Sequence, residues 1–316
     1  FHVEHARFQQ WLHQVSASRN PSIRFQLTTG SYSESAHWMK QGSIDAALVT
    51  GGGFAMLGAL DQDADEFDYI ATLDSQPATG PWASENRKLA GFHGLYHAVC
   101  ITNINSTVFS STDLAALAQQ GELRVLLVDR RSASGDIIPR LALQEIGVEV
   151  RESDVRYLGS HTQVLQELAQ QSGEASTTTI GFVWDDASIK VPQLISKLRK
   201  VDFPELTQRP IAHDVLVMRQ DYQHFDALSA IIQRQLASSV NPIFQRLESG
   251  KQPYIALRHG AKKLEIEVPQ LLRKDMRGVG NMLVQAYRQR SASNPFRLAL
   301  VLSGGGAKCA YQVGAV

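Results

Sequence analysis

From residue 123 to residue 147 the chain passes from an apolar run to small polar residues and then to helical spacing. Leu123-Arg124-Val125-Leu126-Leu127-Val128 gives way to Asp129 through Gly135, and then to Ile137, Ile138, Leu141 and Leu143, ending at Gly147. This order predicts strand, tight turn and helix. Ser134 is placed to cap the helix, Asp136 to occupy its first turn, and Gly147 to follow its last; Pro139 is tolerated near the start. The open amides of such a start, beside the Ser132 and Ser134 hydroxyls, can receive an anion. Taken alone, the same residues also read as a well-capped helix and nothing more.

The pattern elsewhere is similar. Apolar spacing predicts an amphipathic helix over 1–18, a strand over 23–27, a helix over 32–41 stopped by Gly42, and a buried strand over 44–50. That strand runs into Gly51-Gly52-Gly53, with a helix from Phe54. Further strands are expected at 69–73, 96–102, 155–158, 178–184 and 215–219, and helices at 111–120 and 163–170. Helical periodicity covers 222–247 and recurs over 268–290. Strands alternating with helices predict mostly parallel sheets in an α/β fold.

Composition narrows the function. The chain has 316 residues, with 31 basic and 31 acidic side chains and a formal net charge of zero. No general field draws it to nucleic acid or anionic lipid, so a nucleic-acid partner is not expected. Cys100 and Cys309 are too far apart in sequence to suggest a disulfide framework or a metal motif. The spacings of His2 with His5 and of His93 with His97 lack accompanying carboxylates or thiols, so no metal site is assigned. The apolar stretch 46–60 is too short to span a bilayer. The chain starts at Phe1 without a methionine or signal peptide, the form expected of a processed or trimmed protein.

A separate unit is expected from 296 onward, after the linker-like Ser291-Ala292-Ser293-Asn294-Pro295. Leu298 through Leu302 is apolar on both faces, as a central parallel strand must be, and no upstream neighbour is evident for it. The glycines that follow do not form a dinucleotide fingerprint, because Cys309 stands where the last glycine belongs, and a phosphate loop is absent. No cofactor is expected.

Several of these segments together resemble the phosphonate-binding periplasmic proteins of ABC transporters, which have the two-lobed type II binding-protein fold. The matching residues are Tyr32 in Gly30-Ser31-Tyr32-Ser33, Asp45 through Gly53, Tyr96 before a crossover strand, Ser106 and Asp113-Leu114, Ser132-Ala133-Ser134-Gly135, Gly159-Ser160-His161, and Asp214 in the segment after Pro210. The resemblance covers roughly residues 1–247 and departs at Ala133, where a hydroxyl residue is usual. It implies an α/β, two-lobed fold with a ligand cleft, its second lobe at about 106–205. It also implies a small phosphate- or phosphonate-like oxyanion as ligand, held by Tyr32, Gly51, Gly52, Tyr96, Ser132, Ser134, Gly135, His161 and Asp214. His161 would donate as neutral or charged imidazole. A periplasmic or envelope location goes with this resemblance.

Leu300 through Gln312, containing Ser303-Gly304-Gly305-Gly306-Ala307-Lys308, resembles the opening of patatin-like phospholipases. In that family the amides of Gly304, Gly305 and Gly306 would form an oxyanion loop. A nucleophile elbow of the G-x-S-x-G type occurs nowhere in the sequence, so these residues would not hydrolyse esters alone. The expected organisation is therefore a binding module over 1–250, a helical connector over 251–295, and the first part of a patatin-like domain over 296–316. The module would act as sensor or targeting part of a longer acyl hydrolase whose substrate is a phospholipid or other ester, or else as the solute-binding component of a transporter.

Overall fold

The computed structural model describes residues 24–30, 38–39, 41–56, 67–74, 78–83, 94–171, 177–220, 225–238, 244–264 and 297–303, together with residues 10, 11 and 13. In chain order these form β1 (Arg24–Gly30), β2 (Ala46–Val49), α1 (Gly51–Met56), β3 (Phe67–Leu73), β4 (Leu95–Tyr96), β5 (Ala98–Asn103), α2 (Ser111–Gln120) and β6 (Leu123–Leu127). Then come α3 (Ile138–Glu145, entered through one wide turn, Ala133–Ile137), β7 (Val155–Tyr157), α4 (His161–Gln170), β8 (Thr178–Trp184) and β9 (Leu198–Lys200). The last are α5 (Pro204–Thr207), β10 (Ile211–Ala212), β11 (Val215–Arg219), α6 (Phe225–Ser238), β12 (Phe244–Gln245), α7 (Gln252–Lys263) and β13 (Arg297–Ser303). The helices expected at 1–18 and 268–290 lie largely or wholly outside the described residues, as do Tyr32 and Gly304–Gly306.

Most of the described strands build two large sheets, each the centre of a lobe. The first has the order β1-β13-β2-β11-β3-β12, and the second β7-β6-β8-β5-β9. Neither is mostly parallel. β11 runs antiparallel to both β2 and β3, and β5 antiparallel to both β8 and β9, because the chain enters and leaves the second lobe through returning strands. The chain crosses between lobes at β4 and at β10, which pair antiparallel with Tyr96 opposite Ile211. β13 lies parallel between β1 and β2, with Ser303 opposite Gly30 and Leu302 opposite Leu48. An upstream neighbour for this apolar strand therefore exists: the middle of the first sheet.

Both sheets are covered on both faces, and the period-two alternation of strand side chains sorts the cores. Ala46, Leu48, Ile70, Leu216 and Met218 pack with Trp11, Ile232 and Phe244 on one side of the first sheet. Ala47, Val49, Tyr69, Val215 and Val217 pack with Trp38, Phe54 and Tyr254 on the other. In the second lobe Val125, Leu127, Cys100 and Phe182 face α3, while Leu126, Val128, Val99 and Val183 face α4 and Trp82. The burial of Cys100 raises its thiol far above the ordinary range.

Several boundaries differ from expectation for local reasons. α1 starts at Gly51 rather than Phe54, because Thr50 caps it: its Oγ1 accepts from Gly53 N at 3.0 Å and its carbonyl from Phe54 N at 2.8 Å. α4 starts at His161, with Ser160 Oγ accepting from Gln163 N at 3.2 Å. The periodicity over 222–247 is divided between α6 and the short strand β12.

α4 packs so closely on β8 that a Cβ at Gly181 would lie 2.5 Å from Val164 Cγ1 and 3.0 Å from Leu168 Cδ1. Gly181→Val should overpack this seam and destabilise the fold by about 1–3 kcal/mol. A urea midpoint equal to or above that of the parent protein would contradict the packing described.

Candidate functional site

The site residues of the second lobe come from the carboxyl ends of β6, β7 and β8, where an α/β sheet offers its helix starts. Leu158 N and Gly159 N donate to Leu127 O and Val128 O at 3.0 and 2.8 Å, which brings the turn before α4 alongside the turn before α3. Ser132 is the cap of the latter. Its Oγ accepts from Gly135 N at 3.0 Å, and Ile137 N reaches back to Ser132 O at 3.0 Å, widening the first turn. The cap is thus Ser132, not Ser134, because the helix is entered two residues earlier, through the wide turn Ala133–Ile137. Ser132 Oγ accepts within the turn, which leaves its own proton available to donate. Ser134 is 2% exposed. Gly135 is required, since a Cβ there would lie 2.4 Å from Val128 Cγ2.

Asp136, the next residue, is fully buried rather than lying open at the helix start. Arg140 Nε donates to its Oδ1 at 2.8 Å and the Tyr157 hydroxyl at 3.2 Å. Burial pushes the carboxyl up to about 6, while the Arg140 charge and these two hydrogen bonds pull it down. Arg140 also bonds Tyr157 and Glu152, and Arg130 lies over the Tyr157 ring with its own bond to Glu152. This cluster fixes the second turn of the helix from behind.

His161 is the first residue of α4. Its Nδ1 accepts from Trp184 N at 3.4 Å, an arrangement that leaves the ring proton on Nε2. Burial of the imidazole, with the Lys190 charge adding to it, lowers its pKa from 6.5 to about 3. Of the two protonation states considered for His161, the fold therefore holds the neutral one. Asp185, following Trp184, is buried beside His97, with Nδ1 to Oδ2 at 3.8 Å.

Gly51 and Gly52 bring the first lobe to this edge. A Cβ on Gly52 would lie 2.0 Å from Arg131 O, and one on Gly51 2.8 Å from Ala212 O. The two lobes touch here, backbone against backbone. At the crossover, Tyr96 is half-buried and its ring lies tilted against that of His213, 4.6 Å between centroids. Asp214 is half-buried, its carbonyl accepting from Leu73 N at 2.7 Å. Tyr254 closes the group. Its hydroxyl donates to His213 O at 3.0 Å and lies 2.8 Å from Thr72 Oγ1, and burial pushes its pKa up, with Asp214 and Tyr96 among the charges that add to this.

The structure thus sets Gly52 against the turn that holds Ser132, Ser134 and Gly135, and the turn before His161 beside it, while Gly51, Tyr96 and Asp214 lie at the crossover between lobes. Among the described residues no group of three or more His, Cys, Asp or Glu is arranged to hold a metal ion. Sequence reasoning missed His97, Asp185, His213 and Tyr254. His213 adjoins the recognised Asp214, so its position was within reach; Tyr254 lies beyond the residues 1–247 of the phosphonate-binding resemblance and carried no signal.

Comparison with known proteins agrees with this architecture. The family model described as ABC transporter, phosphonate, periplasmic substrate-binding protein matches residues 5–239. The chain belongs to this family. XAC2383 from Xanthomonas citri, bound to chloride ion, has a similar fold, with 15% identity, a TM-score of 0.53, and coverage of 75% of this chain and 83% of that one. PhnD1 from Prochlorococcus marinus, in complex with methylphosphonate, has 16% identity, a TM-score of 0.50, and coverage of 75% and 84%. None of the curated proteins matches the chain. α7 and β13 lie beyond the matched residues of this family member. Among the described residues no helix is long and apolar enough to cross a membrane.

Two measurements check the site. Because the fold rejects the imidazolium, the stability due to His161 is present above pH 6.5 and is lost as pH falls from there toward 3. Ring 15N shifts should show the Nε2–H neutral tautomer from pH 8 down to about 4; an imidazolium signal at pH 6 would refute it. Gly52→Val places a side chain against Arg131 O and should enlarge the radius of gyration measured by small-angle scattering, whereas an unchanged radius would show that the lobes are not held in contact there.

Proposed function

We propose that this chain is a solute-binding protein whose cleft takes a small tetrahedral oxyanion of the phosphate or phosphonate class. Membership of the phosphonate-binding family supports a phosphonate-like ligand. The observation that carries the reading is the meeting of Gly52 with the Arg131–Ala133 backbone, which places a two-serine helix start at the contact between lobes. In this reading Ser132, Ser134 and the amides around Gly135 donate to the anion, and His161 adds a neutral Nε2–H donor. Tyr32 and Tyr96 cover the ligand, and Asp214 accepts from a protonated oxygen or an amine. A neutral histidine and hydroxyl donors suit recognition by oriented hydrogen bonds, and the family's periplasmic character suggests that compartment as the place of action.

Calorimetric titration with methylphosphonate, inorganic phosphate, phosphite and sulfate tests the assignment, with ATP, bound by XAC2383 in one structure, as a larger phosphate. Methylphosphonate should bind at micromolar or better affinity, and Ser134→Ala should weaken it by about 1–2 kcal/mol, roughly five- to thirtyfold. Binding no tighter than millimolar for all five, with Ser134→Ala indistinguishable, would overturn it.

A second reading rests on the patatin-like sequence Leu300 through Gln312. There the domains divide at 1–250, 251–295 and 296–316, and the module serves a longer acyl hydrolase acting on phospholipid or ester. Pairing of β13 with β1 and β2 weighs against a separate unit starting at 296. Limited proteolysis decides: cleavage within 291–295 that releases a C-terminal piece without loss of the folded remainder favours the second reading.

A further inference from the structure

We infer that α7, which lies outside the family's matched range, is a clasp that holds the two lobes closed and so sets how readily the cleft opens. The inference rests on the reading of the cleft as a ligand site that opens and closes. One face of α7 is fastened to the first lobe and the hinge. The Tyr254 hydroxyl donates to His213 O at 3.0 Å and bonds Thr72 Oγ1 at 2.8 Å, which in turn bonds the Tyr69 hydroxyl at 2.8 Å. Its ring packs edge-on against Phe54 at 5.1 Å. One turn on, the buried Arg258 donates from Nη1 to Ala55 O at 2.9 Å, tying α7 to α1, the helix that carries Gly51 and Gly52.

The other face belongs to the second lobe. Leu257 and Ala261 are buried in the same apolar cluster as Ile137, Ile138, Leu141 and Leu143 of the α3 region. Gly260 allows the approach, since a Cβ there would lie 2.5 Å from Leu141 Cδ1. α7 therefore joins the helix behind Gly52 to the helix behind Ser132, the two backbones that meet at the cleft.

The two attachments differ in kind. The first uses buried hydrogen bonds whose loss leaves polar groups unsatisfied, whereas the second uses apolar contact that parts without orphaning a donor or acceptor. When the lobes separate, α7 stays with the first lobe, and Leu141, Leu257 and Ala261 become exposed to water. The exposure penalises the open state and raises the closed fraction. Observed affinity scales with the fraction of molecules competent to hold the ligand, so a weakened clasp lowers affinity without any change in the site.

Gly260→Leu drives a wedge into the seam between α7 and α3, and leucine is a better helix former than glycine, so α7 itself is not weakened. In the full chain this variant should show a larger radius of gyration by small-angle scattering before ligand is added and should return to the parent radius when saturated with methylphosphonate. Its affinity for methylphosphonate should fall roughly tenfold. Leu257→Ala, which loosens the seam without a wedge, should move both quantities in the same direction by less, and Leu257→Met, which conserves volume, should leave both at the parent values. An unchanged radius in folded Gly260→Leu and Leu257→Ala overturns the clasp; if Gly260→Leu does not fold, Leu257→Ala alone decides. Should methylphosphonate fail to bind the parent protein, the ligand assignment falls while the scattering comparison still decides the clasp.

Discussion

Backbone contact between Gly52 and the Arg131 carbonyl is the constraint on which the arrangement of this molecule turns. A side chain at residue 52 would hold the lobes apart by its own width, because its first carbon would already overlap the carbonyl oxygen. Glycine at this point lets one lobe's helix start meet the other's, and the donors on the second lobe are enclosed as a result. Gly51 does the same against Ala212 of the crossover strand. The hinge itself is slight, a two-residue pairing of β4 with β10, so relative position is controlled mainly by what packs beside it. α7 is one such element, with contacts to the first lobe through Tyr254 and Arg258 and to the second through Leu257 and Gly260.

The electrostatics of the cleft are local. With a net charge of zero the chain has no overall attraction for anions, so in the proposed binding reading selection falls to oriented donors at short range. His161 is kept neutral and its tautomer fixed by Trp184 N, which makes it a directed donor whose strength does not change over ordinary pH. Behind the serine turn, the negative charge of Asp136 is met by Arg140 and Tyr157, so the buried carboxylate is compensated close to the helix start. The same pair braces the wide turn, in which Ser132 and Gly135 are already tied to each other.

Much of this was determined by the sequence by itself. Apolar runs ended by glycine or a capping residue are local signals, and so the strands at 46–49, 123–127, 178–184 and 215–219, the stop at Gly121 with its positive φ, and the serine turn before α3 were all legible. The ordered short motifs were legible as a family pattern because each is a short run of contiguous residues. Tertiary structure decided what depends on residues distant in sequence. The pairing of β13 with β1 and β2 could not be read from Leu298–Leu302, because an apolar strand states that it is buried and not beside which neighbours. The mixed direction of the sheets followed from where the chain returns between lobes. The ion pair of Asp136, the tautomer of His161 and the grip of Tyr254 on the His213 carbonyl each involve a partner 4, 23 and 41 residues away, and beyond the first of these no periodicity carries the information.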